Sequence, residues 1–362
     1  MLALGRSHAR KRIDTLLRDT LPAVLNKPVF YAIGGSWRNF ARAHIAASQA
    51  PVGVVHNYAL DTQSARGFAK YLQRVPAAKL KSLPGLAGAP GNPGHTLPAA
   101  ALVLDCVLKR LKPERVVFSA AGLREGWIYA QLSNHERYLD PLVEGAQLIG
   151  MPVARVPGFA RALVPWTAQL FPGETPADTR LRVAVCALSD MAWRDQPDLR
   201  AKQSYRRLLK FPFFGVDHAE RVFVASAIHA RYMGRPDAPW LSPALNLLMP
   251  DAQRRAQILG SAIGVAYRLS GGVPDVLASF RLRLEADCIF LEVGEDARVP
   301  IGEAVGERLQ HLAAAMRALL SQRVGLHAEF DAGRAGSAAS NPHLRQSAEA
   351  IETALLERPA KA

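Results

Sequence analysis

The chain has 362 residues, of which 49% are hydrophobic and 21% are charged, and its formal net charge at pH 7 is +14. This apolar content excludes a disordered chain, and the length predicts two domains of the usual size of roughly 100–200 residues. The excess of lysine and arginine favours an anionic partner, because a positive field concentrates polyanions at the surface. Nucleic acid, polyphosphate and an anionic membrane surface are therefore all candidates.

The lengths of the apolar runs and the spacing of the cysteines predict the cellular compartment of the protein. Charged residues interrupt every apolar run of the N-terminal segment, unlike the continuous apolar core of a signal peptide. No stretch approaches the roughly 20 apolar residues of a transmembrane helix. Cys106, Cys186 and Cys288 are odd in number and widely spaced, which is typical of buried thiols in a reducing environment. We expect a cytoplasmic protein that does not enter a membrane.

The first strand signal ends in a glycine turn. Pro28–Ile33 is a short apolar run that precedes Gly34 and Gly35. Helical periodicity then covers Ser36–Ala47. The pattern predicts a strand, a tight turn and a helix with Ser36 as its N-cap.

A second strand, turn and helix follow further along. Helical periodicity covers Thr62–Arg74 and Pro98–Leu111, and the Gly- and Pro-rich stretch Lys79–Leu97 between them predicts a loop. The apolar run Arg115–Ser119 predicts a second buried strand, which leads into a helix over Leu123–Leu132.

From Asp140 onward, helical periodicity dominates. The predicted helices are Asp140–Ile149, Pro157–Leu170, Thr179–Trp193, Lys202–Leu209, Ala219–Tyr232, Asp251–Leu269 and Gly302–Leu320. The alternating runs Ser279–Leu284 and Asp287–Glu292 predict a late β-hairpin. The small, polar tract Asp331–Pro342 predicts a flexible linker to a terminal helix.

Both glycine turns are candidate phosphate sites, because N–H groups and the dipole at a helix N-terminus favour an anion. The candidate residues are Gly34, Gly35, Ser36, Arg38, Gly122, Arg124 and Glu125. Glu125 suits the first turn of a helix, and Arg124 can pair with a carboxylate or an anionic ligand. Each motif alone more simply indicates a tight turn and a capped helix.

A basic run in the helical region is a candidate channel for a chain of phosphates. Its residues are Arg200, Lys202, Arg206, Arg207 and Lys210, with Tyr205 among them. Lysine binds phosphate as a point charge and arginine binds it through a planar fork. A solvated helix face explains the same pattern equally well, so both interpretations stay open.

The order of these features resembles a known family. A strand entering Gly34-Gly35-Ser36-Trp37-Arg38, a Gly/Pro loop, a helix and a strand entering Gly122-Leu123-Arg124-Glu125-Gly126 are similar to the latter half of the exopolyphosphatase and guanosine pentaphosphate phosphatase family. The segments Leu188–Arg194, Gln196–Arg200 and Phe214–His218, with Arg221, resemble the helical C-terminal domain of that family. The resemblance covers about Lys27 to Leu320.

The resemblance implies an actin-like, ribonuclease H-related fold in which two α/β lobes enclose a phosphate cleft. It also implies release of terminal phosphate from polyphosphate or guanosine pentaphosphate with Mg²⁺. The family's first lobe supplies an Asp-x-Gly-Ser-type loop and the glutamate that activates water. No such loop precedes Ile33, so we expect a partial lobe and assign no catalytic residue. A truncated reading frame or one piece of a split protein is expected, with a separate first lobe or a second copy of the chain as the candidate protein partner.

The family's helical domain is related to metal-dependent HD phosphohydrolases, so a metal site there requires a test. Such a site needs adjacent His and Asp residues with further ligands. Here Ser189-Asp190 stands where the pair is expected, and His218 is followed by Ala219. We therefore assign no metal and predict structural roles for Asp190 and His218.

These arguments predict an α/β plus all-α protein. The expected parts are a partial actin-like lobe over residues 1–140, a mainly helical HD-like domain over residues 141–330, and a linker with a terminal helix over residues 331–362.

We expect an incomplete exopolyphosphatase-family enzyme. The alternative is a non-enzymatic module that binds polyphosphate, a nucleotide or RNA through its basic surface. Recognition of nucleic acid on charge alone is weaker, because the sequence shows no aromatic-basic RNA motif or recognisable DNA-binding module.

Overall fold

Residues 2–20, 27–80, 82–87, 93–233, 238–285, 288–294 and 302–317 are described by the structure, a computed structural model. The chain divides between Tyr138 and Leu139 into two compact units, called here the first and the second unit. The helices of the first unit are α1 (Leu2–Thr20), α2 (Gly35–Ala47), α3 (Thr62–Arg74), α4 (Ala77–Leu80), α5 (Pro93–Leu111), α6 (Leu123–Gln131) and α7 (Asn134–Tyr138). Its strands are β1 (Val29–Ile33), β2 (Tyr58–Asp61) and β3 (Arg115–Ser119).

A three-stranded sheet organises the first unit, in the order β1-β3-β2. Strands β1 and β3 are parallel, and Ile33 at the end of one lies opposite Ser119 at the end of the other. Strand β2 is antiparallel to β3. Because parallel neighbours end at the same sheet edge, the turns that follow β1 and β3 lie side by side.

The apolar faces of α2, α3 and α5 form one core with the sheet. Phe40 of α2 and Phe118 of β3 stack with their ring centroids 5.5 Å apart, and both side chains are fully buried. Leu72 of α3 and Leu104 of α5 are fully buried in the same cluster. These residues are the apolar positions of the predicted helical and strand patterns, so the same periodicity that predicts the elements also builds their core.

Several elements of the first unit differ from the predictions, among them β2 and α7, which are not predicted. Helix α1 is not predicted, because its docking depends on a residue far along the chain: Arg10 donates to the buried carboxylate of Asp105 on α5 at 2.8 Å. The predicted loop Lys79–Leu97 is wrong at both ends, since α4 covers its first residues and α5 begins at Pro93. Full burial of Leu97 offsets the helical hydrogen bond that is lost at Pro98.

The second unit is mainly helical, as the periodicity predicts. Its helices are α8 (Pro141–Gly150), α9 (Phe159–Ala168), α10 (Pro176–Leu188), α11 (Arg200–Lys210), α12 (His218–Met233), α13 (Ser242–Leu245), α14 (Pro250–Ser270), α15 (Pro274–Ala278) and α16 (Glu303–Arg317), with 3-10 turns at Met151–Val153 and Pro197–Leu199. The predicted hairpin is confirmed as antiparallel strands β4 (Phe280–Glu285) and β5 (Cys288–Val293).

Helices α12 and α14 form the centre of the second unit. Eleven consecutive residues of α12, from Arg221 to Arg231, are buried. The two helices approach so closely at Gly260 that a Cβ atom there would lie 2.2 Å from the carbonyl oxygen of Ala227. Only glycine fits this crossing without a shift of one helix.

The chain is therefore an α/β unit followed by a helical unit. No helix in the described parts of the chain combines the length and apolar content needed to cross a membrane. Cys106 and Cys186 are free and buried, as expected, whereas the side chain of Cys288 lies outside the described residues. The predicted linker and terminal helix over residues 331–362 also lie outside them.

Candidate functional site

The two predicted glycine turns lie next to each other at one edge of the sheet in the first unit. Ile33 and Ser119 are register partners in parallel strands, so both chains leave the sheet on the same side. Arg38, in the first turn of α2, donates from Nη1 to the carbonyl oxygen of Ala120 at 2.8 Å. This hydrogen bond ties the turn after β1 to the turn after β3.

The turn after β1 requires glycine at its first position. Gly34 has φ +126° and ψ 160°, a backbone conformation that residues with a Cβ atom rarely adopt. It stands at the N-cap of α2, so the prediction that Ser36 is the N-cap is wrong, and Ser36 lies inside the first helical turn. Glycine permits this backbone geometry, and α2 has no side-chain hydrogen bond at its N-cap.

Backbone donors of the same turn have no acceptor within helix α2. The first intrahelical bond of α2 runs from the N–H of Arg38 to the carbonyl of Gly34 at 2.9 Å. The N–H groups of Gly35, Ser36 and Trp37 precede that bond and have no acceptor within the helix. A Cβ atom at Gly34 or Gly35 would meet no described atom within 4 Å apart from the chain neighbours and the backbone of α2, so no other described part of the chain packs against these two Cα atoms.

In the turn after β3, a backbone N–H group donates a hydrogen bond to the side chain of Glu125. The N–H of Gly122 donates to Oε2 of Glu125 at 2.6 Å. This hydrogen bond is the main reason why the pKa of Glu125 lies below its ordinary value, and the charges of Arg124 and Arg38 lower it further. The carboxylate of Glu125 is therefore engaged with the turn, and its lowered pKa makes it a weaker base than an ordinary glutamate.

A histidine that the sequence does not single out lies at the same edge. His56 accepts at Nδ1 from the N–H of Ala120 at 3.3 Å, and the N–H of Asn57 donates to the carbonyl of Phe118 at 2.9 Å. These contacts exist because β2 pairs with β3, and β2 is itself too short and too weakly patterned to be predicted. The signal that locates His56 is therefore the strand pairing and no local motif.

The predicted basic run on α11 separates into two parts. Arg206, Arg207 and Lys210 are exposed and, at spacings of three and four residues, share one side of the helix. We call these three residues the basic face. Tyr205 is almost fully buried, as are Ala201, Ser204 and Leu208 behind the face.

Arg200 and Lys202 have partners of their own. Arg200 donates from Nε to the carbonyl of Asp195 at 3.0 Å and from Nη2 to the carbonyl of Trp193. Nζ of Lys202 lies 5.0 Å from the ring centroid of Trp240, within cation–π range. These two side chains hold the start of α11 in place, whereas the basic face is open to solvent.

Asp190, for which a structural role is predicted, accepts hydrogen bonds from two arginines. Its carboxylate is almost fully buried and accepts from Nε and Nη2 of Arg155 at 2.9 and 2.8 Å, and from Nη2 of Arg231 at 3.1 Å. The neighbouring Ser189 shares a hydrogen bond with the hydroxyl of Tyr267 at 3.0 Å. Two guanidinium groups thus donate hydrogen bonds to the carboxylate that stands where an HD-type site would have a metal ligand.

Metal ligands are not grouped in the described parts of the chain. No three or more His, Cys, Asp or Glu side chains there are placed to hold one ion. His218 is the first residue of α12, and its structural role stays a prediction.

The second unit is thus a helical domain built around a buried carboxylate–arginine group, with an exposed basic face on α11. Residues 142–321, about half of the chain, match the family model described as exopolyphosphatase, C-terminal. The chain belongs to the exopolyphosphatase and guanosine pentaphosphate phosphatase family, of which the second unit is the C-terminal region. No curated protein matches the chain at a significant level.

Proposed function

We propose that this chain is a cytoplasmic, polyphosphate-binding member of the exopolyphosphatase family, and that it does not release phosphate by itself. The match of residues 142–321 to the exopolyphosphatase C-terminal domain carries this proposal. The net charge of +14 supports it, because inorganic polyphosphate is a dense linear polyanion. Guanosine pentaphosphate shares the same terminal chemistry and is the second candidate ligand.

The first unit supports a phosphate site at the sheet edge. We propose that this unit is a partial actin-like lobe, in which the turns after β1 and β3 hold terminal phosphate. The free N–H groups of Gly35 and Ser36 would donate to phosphate oxygens, and the helix dipole of α2 favours the negative charge. Arg38 and Arg124 add positive charge at the same edge.

Hydrolysis needs a group that activates water and a means to neutralise the phosphate. The carboxylate of Glu125, beside the turns, is held by the N–H of Gly122. Mg²⁺ takes carboxylate, water and phosphate oxygens as ligands, and the described residues present no grouped set of acidic side chains for it. We therefore assign no residue of this chain to Mg²⁺ and no step of the reaction to these residues.

Exposed apolar side chains of the first unit support a protein partner. Helices α6 and α7 contain no buried residue. Leu123, Trp127, Ile128 and Tyr138 expose more than half of their surface, from 58% to 93%, and clustered apolar exposure marks interaction surfaces. We propose that a separate first lobe or a second copy of the chain covers this surface.

The basic face is tested by exchanging Arg206, Arg207 and Lys210 together for glutamine. We expect roughly tenfold weaker binding of long-chain polyphosphate, because three exposed charge contacts of about 0.2–1 kcal/mol each are removed. The slope of log affinity against log salt should fall by about 2, if each lost contact releases counterions as on a single-stranded polyanion. Fluorescence anisotropy of end-labelled polyphosphate at several salt concentrations measures both quantities.

A matched control removes the same charge elsewhere. Lys11, Arg12 and Arg18 are exposed on α1, and their exchange for glutamine changes the net charge equally. Equal losses in the two triple variants would show that net charge alone attracts the polyanion and would refute a binding role for α11. Stronger competition by single-stranded RNA than by polyphosphate would instead identify the RNA-binding alternative.

A further inference from the structure

Strand β1 is an open edge of the sheet in the first unit. The strand order is β1-β3-β2, and β3 is the sole partner of β1 among the described strands. Val29 lies opposite Arg115, whose N–H donates to the carbonyl of Pro28 at 3.1 Å. Because alternate residues of a strand direct their N–H and C=O groups to opposite sides, those of Val29, Tyr31 and Ile33 point away from β3. No described residue donates to these groups or accepts from them.

One face of this strand is open as well. The side chains of Tyr31 and Ile33 expose 60% and 51% of their surface. Phe30 and Ala32, which alternate with them along the strand, belong to the core side of the sheet. The edge and the apolar face are therefore uncovered at the same residues. Unpaired backbone groups beside exposed apolar side chains form a template for another strand.

The sequence of β1 has none of the usual protection of an edge strand. Natural edges are blocked by lysine, by proline or by a β-bulge. Val29–Ile33 contains no charged residue and no proline, and its register with β3 runs without an inserted residue. When a strand adds to such an edge, main-chain hydrogen bonds supply affinity and side chains supply specificity. The side chains of β1 therefore decide which strand fits.

Strand β1 is complementary to a second copy of itself. In antiparallel pairing about a two-fold axis at Tyr31, this residue lies opposite Tyr31 of the partner subunit, and Val29 lies opposite Ile33 of the partner subunit. The residues that meet are those whose backbone groups point away from β3, so each pair exchanges two hydrogen bonds. On the core side, the large Phe30 meets the small Ala32 of the partner subunit, and such pairs of unequal size interdigitate.

Local charge does not oppose this pairing, although the whole chain carries a net charge of +14. Lys27 is the nearest charged residue that precedes the strand, and it is exposed. In the antiparallel register it lies opposite Gly35 of the partner subunit. Like charges destabilise a strand pair when they lie opposite each other, and none do so along this edge.

We propose that β1 pairs antiparallel with β1 of a second copy of the chain, so that two sheets join at a two-fold axis through Tyr31. Such an interface uses the same surface on both subunits, which is the commonest arrangement in homodimers. It differs from the surface of α6 and α7, and it does not depend on polyphosphate binding. Because strands of five residues bury little area, we expect a dissociation constant on the order of 10 μM.

Sedimentation velocity of the full chain, at concentrations on both sides of that value, measures the dimer. Tyr31→Lys is expected to weaken dimerisation by about tenfold or more, because two lysines would lie opposite each other at the axis. The matched control is Tyr71→Lys, which makes the same change at a half-exposed position on α3 and should leave the dissociation constant unchanged. Both positions are exposed, so both variants are expected to fold, and circular dichroism checks this.

A disulfide tests the register. Antiparallel residues that exchange hydrogen bonds have Cα atoms about 5.5 Å apart, within the range of a disulfide. Tyr31→Cys should therefore give a covalent dimer on oxidation with copper phenanthroline. Val29→Cys should not, because four residues of offset place it roughly 13 Å from its own copy, whereas a mixture of Val29→Cys and Ile33→Cys chains should crosslink. The unaltered chain is the control for Cys106 and Cys186, which are buried.

Several results would overturn the proposal. A chain that stays monomeric at about 100 μM would do so, since most of it should then be dimeric. A dimer of unchanged affinity in Tyr31→Lys would place the interface elsewhere, for example on α6 and α7. Failure of Tyr31→Cys to crosslink, or crosslinking of Val29→Cys alone, would contradict the antiparallel register. None of these results changes if the chain does not bind polyphosphate, so the two proposals fail separately.

Discussion

Replacing Asp190 by asparagine is expected to destabilise the second unit by about 3 kcal/mol, because the change leaves a buried guanidinium without its carboxylate. Arg231 is almost fully buried and cannot recover the lost interaction from water. The side chain of Arg155 is 33% exposed, so its share of the loss is smaller. Urea unfolding followed by tryptophan fluorescence measures the change, since Trp166, Trp193 and Trp240 lie in the second unit.

The control for this prediction is Asp195→Asn, which removes an equal charge from an exposed position five residues away and should alter the free energy of unfolding by less than about 0.5 kcal/mol. Combining Asp190→Asn with Arg231→Met should recover part of the loss, because the buried unpaired charge is then gone. A loss in Asp190→Asn no larger than in Asp195→Asn would show that the carboxylate–arginine group does not hold the helices together.

Replacing Gly260 by alanine is expected to destabilise the second unit by about 1–3 kcal/mol, because the added methyl group overpacks the helix crossing. The new Cβ atom would lie 2.2 Å from the carbonyl oxygen of Ala227 and 2.6 Å from the Cβ atom of Ala230. Helices α12 and α14 must then move apart. Alanine gains about 1 kcal/mol over glycine in a helix interior, so the steric effect must exceed that gain to appear in thermal or urea unfolding.

Gly264→Ala is the matched control, one turn further along α14. Its nearest contact would be 3.2 Å, to the carbonyl oxygen of Arg231, which requires a shift of only a few tenths of an ångström. The gain in helix propensity should therefore cancel most of the cost. Equal stability of the two alanine variants would contradict the close approach of α12 and α14 at Gly260.

Local patterns predict the parts of this fold that depend on neighbours in sequence. Strand β3 and helix α3 are predicted with the bounds that the structure shows, because continuous apolar runs and helical periodicity are local properties. The glycine turns are also predicted, since a strand that ends in glycine before a helical pattern has few alternatives. Their adjacency follows only from the parallel pairing of β1 and β3.

Features that depend on distant contacts are not predictable in this way. His56 reaches the candidate site only through the pairing of β2 with β3. The partners of Asp190 lie 35 and 41 residues away in sequence, and no spacing rule connects them. The division of the α11 run into engaged and exposed residues likewise depends on where Trp193 and Trp240 fold against the helix.

Phosphate release by the purified chain tests the central claim most directly. The chain should bind long-chain polyphosphate in a salt-sensitive way, because screening shortens the reach of exposed charges to about 8 Å at physiological ionic strength. With Mg²⁺ present it should release little or no phosphate alone, and release should rise when a separately expressed first lobe from a complete relative is added. Robust release by the chain alone, abolished by substitution of a residue within it, would contradict the account.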